Sequence, residues 1–109
     1  SAPSDLFELV EGVAQPIATA GDPAIFEGAP FVTDDCLTVY FAAGPANDLD
    51  LFTVRRASLT APWSLPQRLS VSTIGASESD PWVSRDGRRL LFSRDVTGTG
   101  NFDLYLATR

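Results

Sequence analysis

The chain has 109 residues, of which 44% are hydrophobic and 20% charged, an ordinary globular composition that argues against disorder. It contains no histidine, methionine or lysine, which excludes a His-based catalytic triad, a His metal site, a lysine Schiff base and a phosphate-loop lysine. The net charge of −6 disfavours nucleic acids and anionic membrane surfaces as partners.

The charge is unevenly distributed along the chain. Residues 1–54 contain nine acidic and no basic residues, whereas residues 55–109 contain eight arginines and five acidic residues. One interpretation is head-to-tail association, in which an acidic end meets the basic end of another molecule. The other, which we favour, is solvated surface charge that is scattered unevenly. Only the first interpretation predicts that added salt weakens association.

The start of the chain and its single cysteine set further limits. No apolar run approaches the roughly 18 residues of a membrane-spanning helix, so we expect no membrane insertion. The chain begins at Ser1 without a charged and apolar leader, so we expect a processed chain or a piece of a longer one.

Cys36 is the single cysteine, which excludes an internal disulfide, and its neighbours Asp34 and Asp35 disfavour a reactive thiolate.

An internal repeat is the most informative feature of the sequence. An offset of 51 residues places Pro30 over Pro81 and matches the positions that follow by residue type: Phe31 with Trp82, Val32 with Val83, Thr33 with Ser84, Asp35 with Asp86, and Phe41 with Phe92. The triplets 50–52 and 103–105 then match as Asp-Leu-aromatic, and a third copy lies at 5–7. Their aspartates are 45 and 53 residues apart, close to the period of about 40–50 residues that is typical of four-stranded propeller blades.

Local patterns predict strands rather than helices. Short runs rich in β-branched and aromatic residues alternate with turn residues, and no stretch keeps a helical period for ten residues. We expect two strands within residues 1–20, four within 28–72 and three within 79–109. Pro62 and Pro66 place the segment around Trp63 in an edge strand, because proline cannot donate to a strand ladder.

One pair of matching turns differs at a position that favours glycine. Ser84-Arg85-Asp86-Gly87 predicts a tight turn between two strands, in which Gly87 supplies a positive φ. The matching segment, residues 33–36, has Cys36 in place of that glycine. Either this turn has another shape, or it carries strain of about 1 kcal/mol.

The stretches 80–93 and 101–106 resemble the TolB-type, WD-like β-propeller repeat. They carry its elements in order, as Pro81-Trp82, Asp86-Gly87-Arg88 and Asp103-Leu104-Tyr105. Residues 62–66 are similar to the outer-strand motif of the subgroup found in bacterial cell-envelope proteins. The resemblance implies an all-β fold of propeller blades with four antiparallel strands each, and a periplasmic or extracellular location.

On this basis the chain holds about two and a quarter blades. Residues 1–27 would end one blade, residues 28–78 would form a full blade, and residues 79–109 would form most of a third. Closed propellers need at least about four blades, so this incomplete propeller must be covered by something else. We favour the remainder of a longer chain, and the alternative is assembly from several copies.

Aspartates that recur with the repeat are expected to be structural. Asp5, Asp50 and Asp103 occur once per unit, whereas a catalytic site occurs once per protein. We therefore expect them at strand starts, accepting backbone hydrogen bonds. Asp48 with Asp50, and Glu78 with Asp80, lack the signature of a catalytic carboxylate pair or of a calcium loop. We expect no catalytic residue, cofactor or metal ion.

Three residues are the expected ligand-facing positions. Glu27 and Glu78 precede the innermost strand of their units, a region that faces the channel mouth in a propeller. Trp63 lies on the presumed edge strand, where its ring would be accessible. A structural role is the alternative for all three residues. Trp82 matches an apolar position in the other unit and is expected to pack between blades.

The function predicted from these features is binding without catalysis. The chain would be a binding or scaffold module of the bacterial envelope that recognises a protein or peptide partner, or a glycan. One alternative is the propeller domain of a larger hydrolase, such as a prolyl-oligopeptidase-type serine peptidase, and a catalytic domain in the parent chain would distinguish it. The other alternative is a self-assembling partial propeller, which the mass of the chain in solution would distinguish.

Overall fold

The computed structural model describes residues 6–17, 26–45, 48–72, 75–97 and 100–109. Within these ranges the regular structure consists of β-strands without helices, arranged as three antiparallel sheets. The all-β class predicted from the sequence is confirmed.

The strands of the described ranges follow chain order through the three sheets. The first sheet is a hairpin of β1 (Phe7–Val10) and β2 (Val13–Pro16). The second pairs β3 (Phe26–Val32), β4 (Thr38–Gly44), β5 (Asp50–Arg55) and β6 (Gln67–Arg68) in that order, and the third pairs β7 (Ser77–Val83), β8 (Arg89–Asp95) and β9 (Asp103–Thr108). The sequence predicted two, four and three strands in these regions. The second and third sheets begin two residues before the expected boundaries at 27/28 and 78/79.

The second sheet lies between the other two, and β4 shows this in its sequence. Val39, Phe41 and Ala43 pack in one cluster with Leu6, which precedes β1. Ala42, on the opposite face of β4, packs in a second cluster that reaches the third sheet. Since a strand covered on both faces has no solvent side, its sequence is a continuous apolar run without alternation.

The two interfaces between sheets are built in the same way. Leu6 packs on the face of the second sheet that carries Phe41, and Leu51 packs with Phe92 of the third sheet. Each leucine carbonyl accepts a backbone hydrogen bond from a later apolar residue: Ile17 N lies 3.1 Å from Leu6 O, and Leu69 N lies 2.8 Å from Leu51 O. The third sheet therefore packs on the second as the second packs on the first.

The hairpins β3–β4 and β7–β8 share an irregularity at matching positions. The register shifts between Gly28 and Phe31 in one hairpin and between Ser79 and Trp82 in the other. The bulged residues at an offset of 51, Ala29 and Asp80, have φ angles of 50° and 54°. A bulge at the same place in both hairpins bends β3 and β7 alike.

The turns of these hairpins also match bond for bond. In the first, the Thr33 hydroxyl donates to Asp35 over 2.7 Å, and the Cys36 amide donates to the Thr33 carbonyl over 2.9 Å. In the second, the Ser84 hydroxyl donates to Asp86 over 2.6 Å, and the Gly87 amide donates to the Ser84 carbonyl over 2.9 Å.

Cys36 has the same backbone conformation as the glycine that it replaces. Its φ is 61°, and that of Gly87 is 72°. Of the two outcomes left open by the sequence, the turn keeps its shape and the cysteine carries strain of about 1 kcal/mol. The side chain is exposed, so packing around the sulfur does not offset this strain.

The expected position of the edge strand in the second sheet needs correction. The edge strand predicted around Trp63 is β6, which contains only Gln67 and Arg68, and the two prolines of residues 62–66 lie outside it. Ser64 holds this segment to β5 instead, because its amide donates to the Arg55 carbonyl over 2.7 Å and its hydroxyl accepts from the Arg55 amide over 3.0 Å.

Two of the recurring aspartates lie at strand starts, and Asp50 has a different partner from the one expected. Asp50 begins β5 and Asp103 begins β9, while Asp5 lies outside the described residues. The Asp50 carboxylate accepts from Nε of Arg68 over 3.1 Å rather than from a backbone amide. At Asp50, a salt bridge to β6 therefore takes the place of the backbone hydrogen bonds that we expected.

Candidate functional site: an aromatic groove

A groove lies between the ends of β3 and β7, the first strands of the second and third sheets. Its volume is about 470 Å³. Residues 31–35 and Thr38 line one wall, and residues 82–85 line the other. We call this space the aromatic groove. Its walls come from matching positions of the two units, so they carry similar apolar, hydroxyl and charged side chains.

Phe31 and Trp82 meet across the aromatic groove. Their ring centroids are 6.3 Å apart at an interplanar angle of 62°, an edge-to-face arrangement. Trp82 nevertheless remains 45% exposed. The sequence predicted that Trp82 packs between sheets; it does contact the neighbouring sheet, but almost half of it stays available to a ligand.

The turns at the end of the groove hold their aspartates ionised. Two hydrogen bonds lower the pKa of Asp35: the larger effect comes from the Thr33 hydroxyl and the smaller from the Leu37 amide. The hydroxyl of Ser84, followed by the Arg88 amide, lowers the pKa of Asp86 in the same way. These bonds fix the shape of both turns and leave the carboxylates charged at neutral pH.

An ion pair of opposite charges at matching positions crosses the groove. Nε of Arg85 lies 2.9 Å from Asp34, and both side chains are highly exposed. Exposed pairs of this kind contribute only about 0–1 kcal/mol to stability. A charged ligand could therefore compete for either partner at small cost to the fold.

Glu27 and Glu78, two of the predicted ligand-facing residues, point into the protein. Glu27 is 1% exposed, and one of its carboxylate oxygens accepts from the Leu6 amide over 3.4 Å. Glu78 is fully buried and forms a salt bridge of 3.1 Å with Nε of Arg94. Glu27 and Leu6 are 21 residues apart, whereas Glu78 and Arg94 are direct partners in the β7–β8 hairpin. Both contacts are internal to the fold, which favours the structural alternative for these two residues.

Trp63, the third predicted residue, belongs to a cluster that fastens the first sheet to the second. The Arg56 guanidinium lies 4.0 Å from the centre of its ring and donates to both Glu8 oxygens over 2.9 and 3.1 Å. Nε1 of Trp63 donates to Glu8 over 3.4 Å, and the Cys36 carbonyl accepts two further bonds from Arg56. We call Glu8, Arg56 and Trp63 the hairpin clamp. The ring is only partly exposed, which again favours a structural role.

The sequence contained a signal for the aromatic groove that we did not use. Phe31 and Trp82 match at an offset of 51, and so do Asp34 and Arg85, which have opposite charges. Matching positions on adjacent equivalent strands lie side by side, so such a pair is placed to interact. The hairpin clamp had no comparable signal, because its members are 48 and 55 residues apart in contacts outside the repeat.

A second cavity of about 200 Å³, between the second and third sheets, is bordered by Tyr40, Leu69 and Leu90 and belongs to their packing. Groups of three or more His, Cys, Asp or Glu placed to hold a metal ion do not occur in the described ranges. Over the same part of the chain, no helix is long and apolar enough to cross a membrane.

Comparison with known proteins places the chain in no family. No protein-family model matches it, and neither a curated protein nor a solved structure matches it.

Proposed function

We propose that the chain is part of a β-propeller and acts as a non-catalytic binding module, with the aromatic groove as its site for an extended peptide segment of a partner protein. The observation that carries this proposal is Trp82, which is held against Phe31 of the next sheet and still 45% exposed. Large aromatic side chains held rigid at a partly open site are the usual anchors of protein recognition.

The propeller part of the proposal is supported by the repeated stacking of sheets. Leu6 and Leu51 make equivalent contacts across successive interfaces, and Ala29 and Asp80 mark the same bulge in successive innermost strands. Repetition of a single packing relation is what generates a ring of blades. In such a ring, β3 and β7 line the central channel, and the aromatic groove opens at one of its mouths.

A peptide fits the aromatic groove better than a glycan does. The hydroxyls of Thr33 and Ser84 already donate to Asp35 and Asp86, so the polar groups of the walls are largely engaged in their own turns. Recognition of a sugar depends on many directional hydrogen bonds, whereas the groove offers mainly apolar surface and one exposed ion pair. An apolar side chain next to a charged one, in an extended segment, would satisfy both features.

The location of this module follows from the resemblance alone. The motifs at residues 62–66 and 80–93 are similar to those of bacterial envelope propellers, so we propose a periplasmic or extracellular site of action. A rigid ring there would present loops to protein partners.

Selection from a phage-displayed library of random linear peptides tests the proposed function. The immobilised chain is the bait, and the Trp82→Ala variant is kept for the affinity measurements that follow the selection. Affinities of enriched peptides for the unmodified chain and for each variant are then measured by the fluorescence anisotropy of the labelled peptide, a signal that does not depend on a tryptophan of the chain. We expect Trp82→Ala and Phe31→Ala to weaken binding by about 30-fold or more, as is usual for an aromatic anchor.

The Trp63→Phe variant is the matched control, since it changes the other tryptophan and leaves the groove intact. Its affinity for the enriched peptides should equal that of the unmodified chain. Peptides that bind Trp82→Ala and Phe31→Ala as tightly as the unmodified chain would overturn the proposal. A glycan array probed in parallel that gives Trp82-dependent binding, without any enriched peptide, would replace the peptide by a glycan.

A further inference from the structure

The face of the third sheet that points away from the second sheet, here called its outer face, is apolar and exposed. Leu91 and Leu106 are direct partners across β8 and β9, and Leu104 lies two residues before Leu106 on the same face. Leu104 is 80% exposed and Leu106 57% exposed. An apolar sheet face of this kind marks an interaction surface.

The equivalent face of the second sheet is completely covered. Leu51, which matches Leu104 in the repeat, is 0% exposed, and Thr53, which matches Leu106, is 3% exposed. The cover is the inner face of the third sheet, where Phe92 packs against Leu51. The cover expected for Leu104 is therefore the inner face of another sheet of the same kind.

The first sheet exposes such an inner face at the other end of the chain. Leu6 points toward the second sheet, so Phe7 and Leu9 point the opposite way, and they are 57% and 76% exposed. They correspond to Phe52 and Val54, whose face of the second sheet packs against the cluster of Leu6. The chain thus carries the Leu104 half of this interface at one end and, at the other, the part of the opposing half that Phe52 and Val54 supply in the second sheet.

We infer that two copies of this chain associate head to tail, with the Phe7 and Leu9 face of one copy seated on the Leu104 and Leu106 face of the other. The inference rests on the repeated stacking in the proposed propeller and not on a ligand in the aromatic groove. The contact is heterologous, since different surfaces meet, so successive copies continue the stack until it closes or extends.

Three leucine variants test this arrangement in the whole chain. Leu104→Lys and Leu9→Lys each place a charge on one of the two faces, and Leu65→Lys is the matched control. Leu65 is 79% exposed, almost the same as Leu104, but lies between β5 and β6 on neither face. Light scattering over rising concentration gives the mass relative to the single chain of 11.7 kDa.

We expect the unmodified chain and Leu65→Lys to gain mass alike as the concentration rises. Leu104→Lys and Leu9→Lys should each weaken association by about tenfold or more, because the lysine must be desolvated in an apolar contact. Phe7→Lys and Leu106→Lys provide a second pair if either leucine variant fails to give the circular dichroism spectrum of the folded chain.

Mixing the two variants distinguishes head-to-tail association from other contacts. Leu104→Lys retains the hairpin face and Leu9→Lys retains the third-sheet face, so an equimolar mixture should form a complex of twice the single-chain mass that grows no further. A chain that stays monomeric, association that neither lysine weakens, or a mixture that stays monomeric would overturn the inference. Neither Leu9 nor Leu104 lines the aromatic groove. The association test and the peptide-binding test can therefore fail separately.

Discussion

Arg94 on β8 pairs with Glu78, its direct partner on β7, and also ties the third sheet to the segment that precedes it. Its Nε lies 3.1 Å from the buried Glu78 carboxylate, and a terminal nitrogen donates to the Val71 carbonyl over 2.6 Å. The guanidinium also lies 4.7 Å from the centre of the Tyr105 ring. A side chain that we took for a ligand-facing acid is thus one half of an internal salt bridge.

Removing one charge of this buried pair should destabilise the fold strongly. Glu78→Gln keeps the shape of the side chain but leaves the Arg94 charge without its counterion, so we expect the free energy of unfolding to fall by about 3 kcal/mol. Urea unfolding followed by circular dichroism measures the change. Asp34→Asn, which breaks the exposed pair with Arg85, is the control and should cost no more than about 1 kcal/mol. Equal losses in the two variants would contradict the burial of Glu78.

The hairpin clamp should depend on the shape of Arg56 and not only on its charge. Arg56→Lys keeps the charge but cannot donate to both Glu8 oxygens and the Cys36 carbonyl at once. We expect a loss of about 2 kcal/mol and faster hydrogen exchange of the β1 and β2 amides. Arg55→Lys, at an exposed neighbour, is the control. Unchanged exchange in the first hairpin would show that Arg56 does not hold it.

The strain at Cys36 predicts a stabilising substitution. Cys36→Gly removes the side chain that disfavours a φ of 61°, so we expect a gain of up to about 1 kcal/mol, reduced in part by the larger entropy of glycine in the unfolded chain. Cys36→Ala also removes the sulfur but keeps the strain, and should be nearly neutral. Gly87→Ala should lose about 1–2 kcal/mol at the matching position. Thermal unfolding of the three variants checks the order, and a Cys36→Ala variant as stable as Cys36→Gly would contradict it.

The sequence predicted the strands well because their signals are local. No knowledge of tertiary contacts is needed to recognise the apolar runs of β4 and β8, the turn at residues 84–87 or the offset of 51. The length of β6 could not, because Ser64 replaces a strand partner of Arg55 by means of its own hydroxyl. The prolines indicated an edge but not where pairing stops.

The candidate site was harder to predict, because exposure depends on contacts between distant segments. Glu78 is of a residue type that often faces a ligand, and its burial reflects its place beside the second sheet, where its amide donates to the Leu49 carbonyl over 2.7 Å. Trp82 and Phe31 are of residue types that usually lie in a core, and only the open groove between β3 and β7 shows that Trp82 is accessible. In both cases the repeat located the position but not its surroundings.

The pKa of Asp35 should rise when its hydroxyl partner is removed. The bond from Thr33 lowers this pKa in the folded chain below the value of about 4 that is usual for aspartate. Asp35 therefore contributes stability that is present above that value and is lost as the pH falls through the lower, folded pKa. In Thr33→Val this part of the acid-dependent loss should disappear.

Carboxylate carbon shifts followed by NMR during a pH titration measure the change. Asp86 is the internal control, because its partner is Ser84, and its pKa should stay where it is in Thr33→Val. Ser84→Ala should reverse the pattern, moving Asp86 and not Asp35. A pKa of Asp35 that is the same with and without the Thr33 hydroxyl would contradict the assigned cause.

The repeated stacking of sheets is tested most directly by the reactivity of thiols at its two equivalent positions. In a Cys36→Ala background, Leu51→Cys and Leu104→Cys are labelled with a thiol reagent at a protein concentration low enough to keep the chain monomeric. We expect Leu104→Cys to react as fast as in the unfolded chain, and Leu51→Cys to react at least about 100-fold more slowly, since its exposure requires the sheets to separate. Equal rates at the two positions would contradict the covered and open faces on which the proposed propeller and the head-to-tail contact depend.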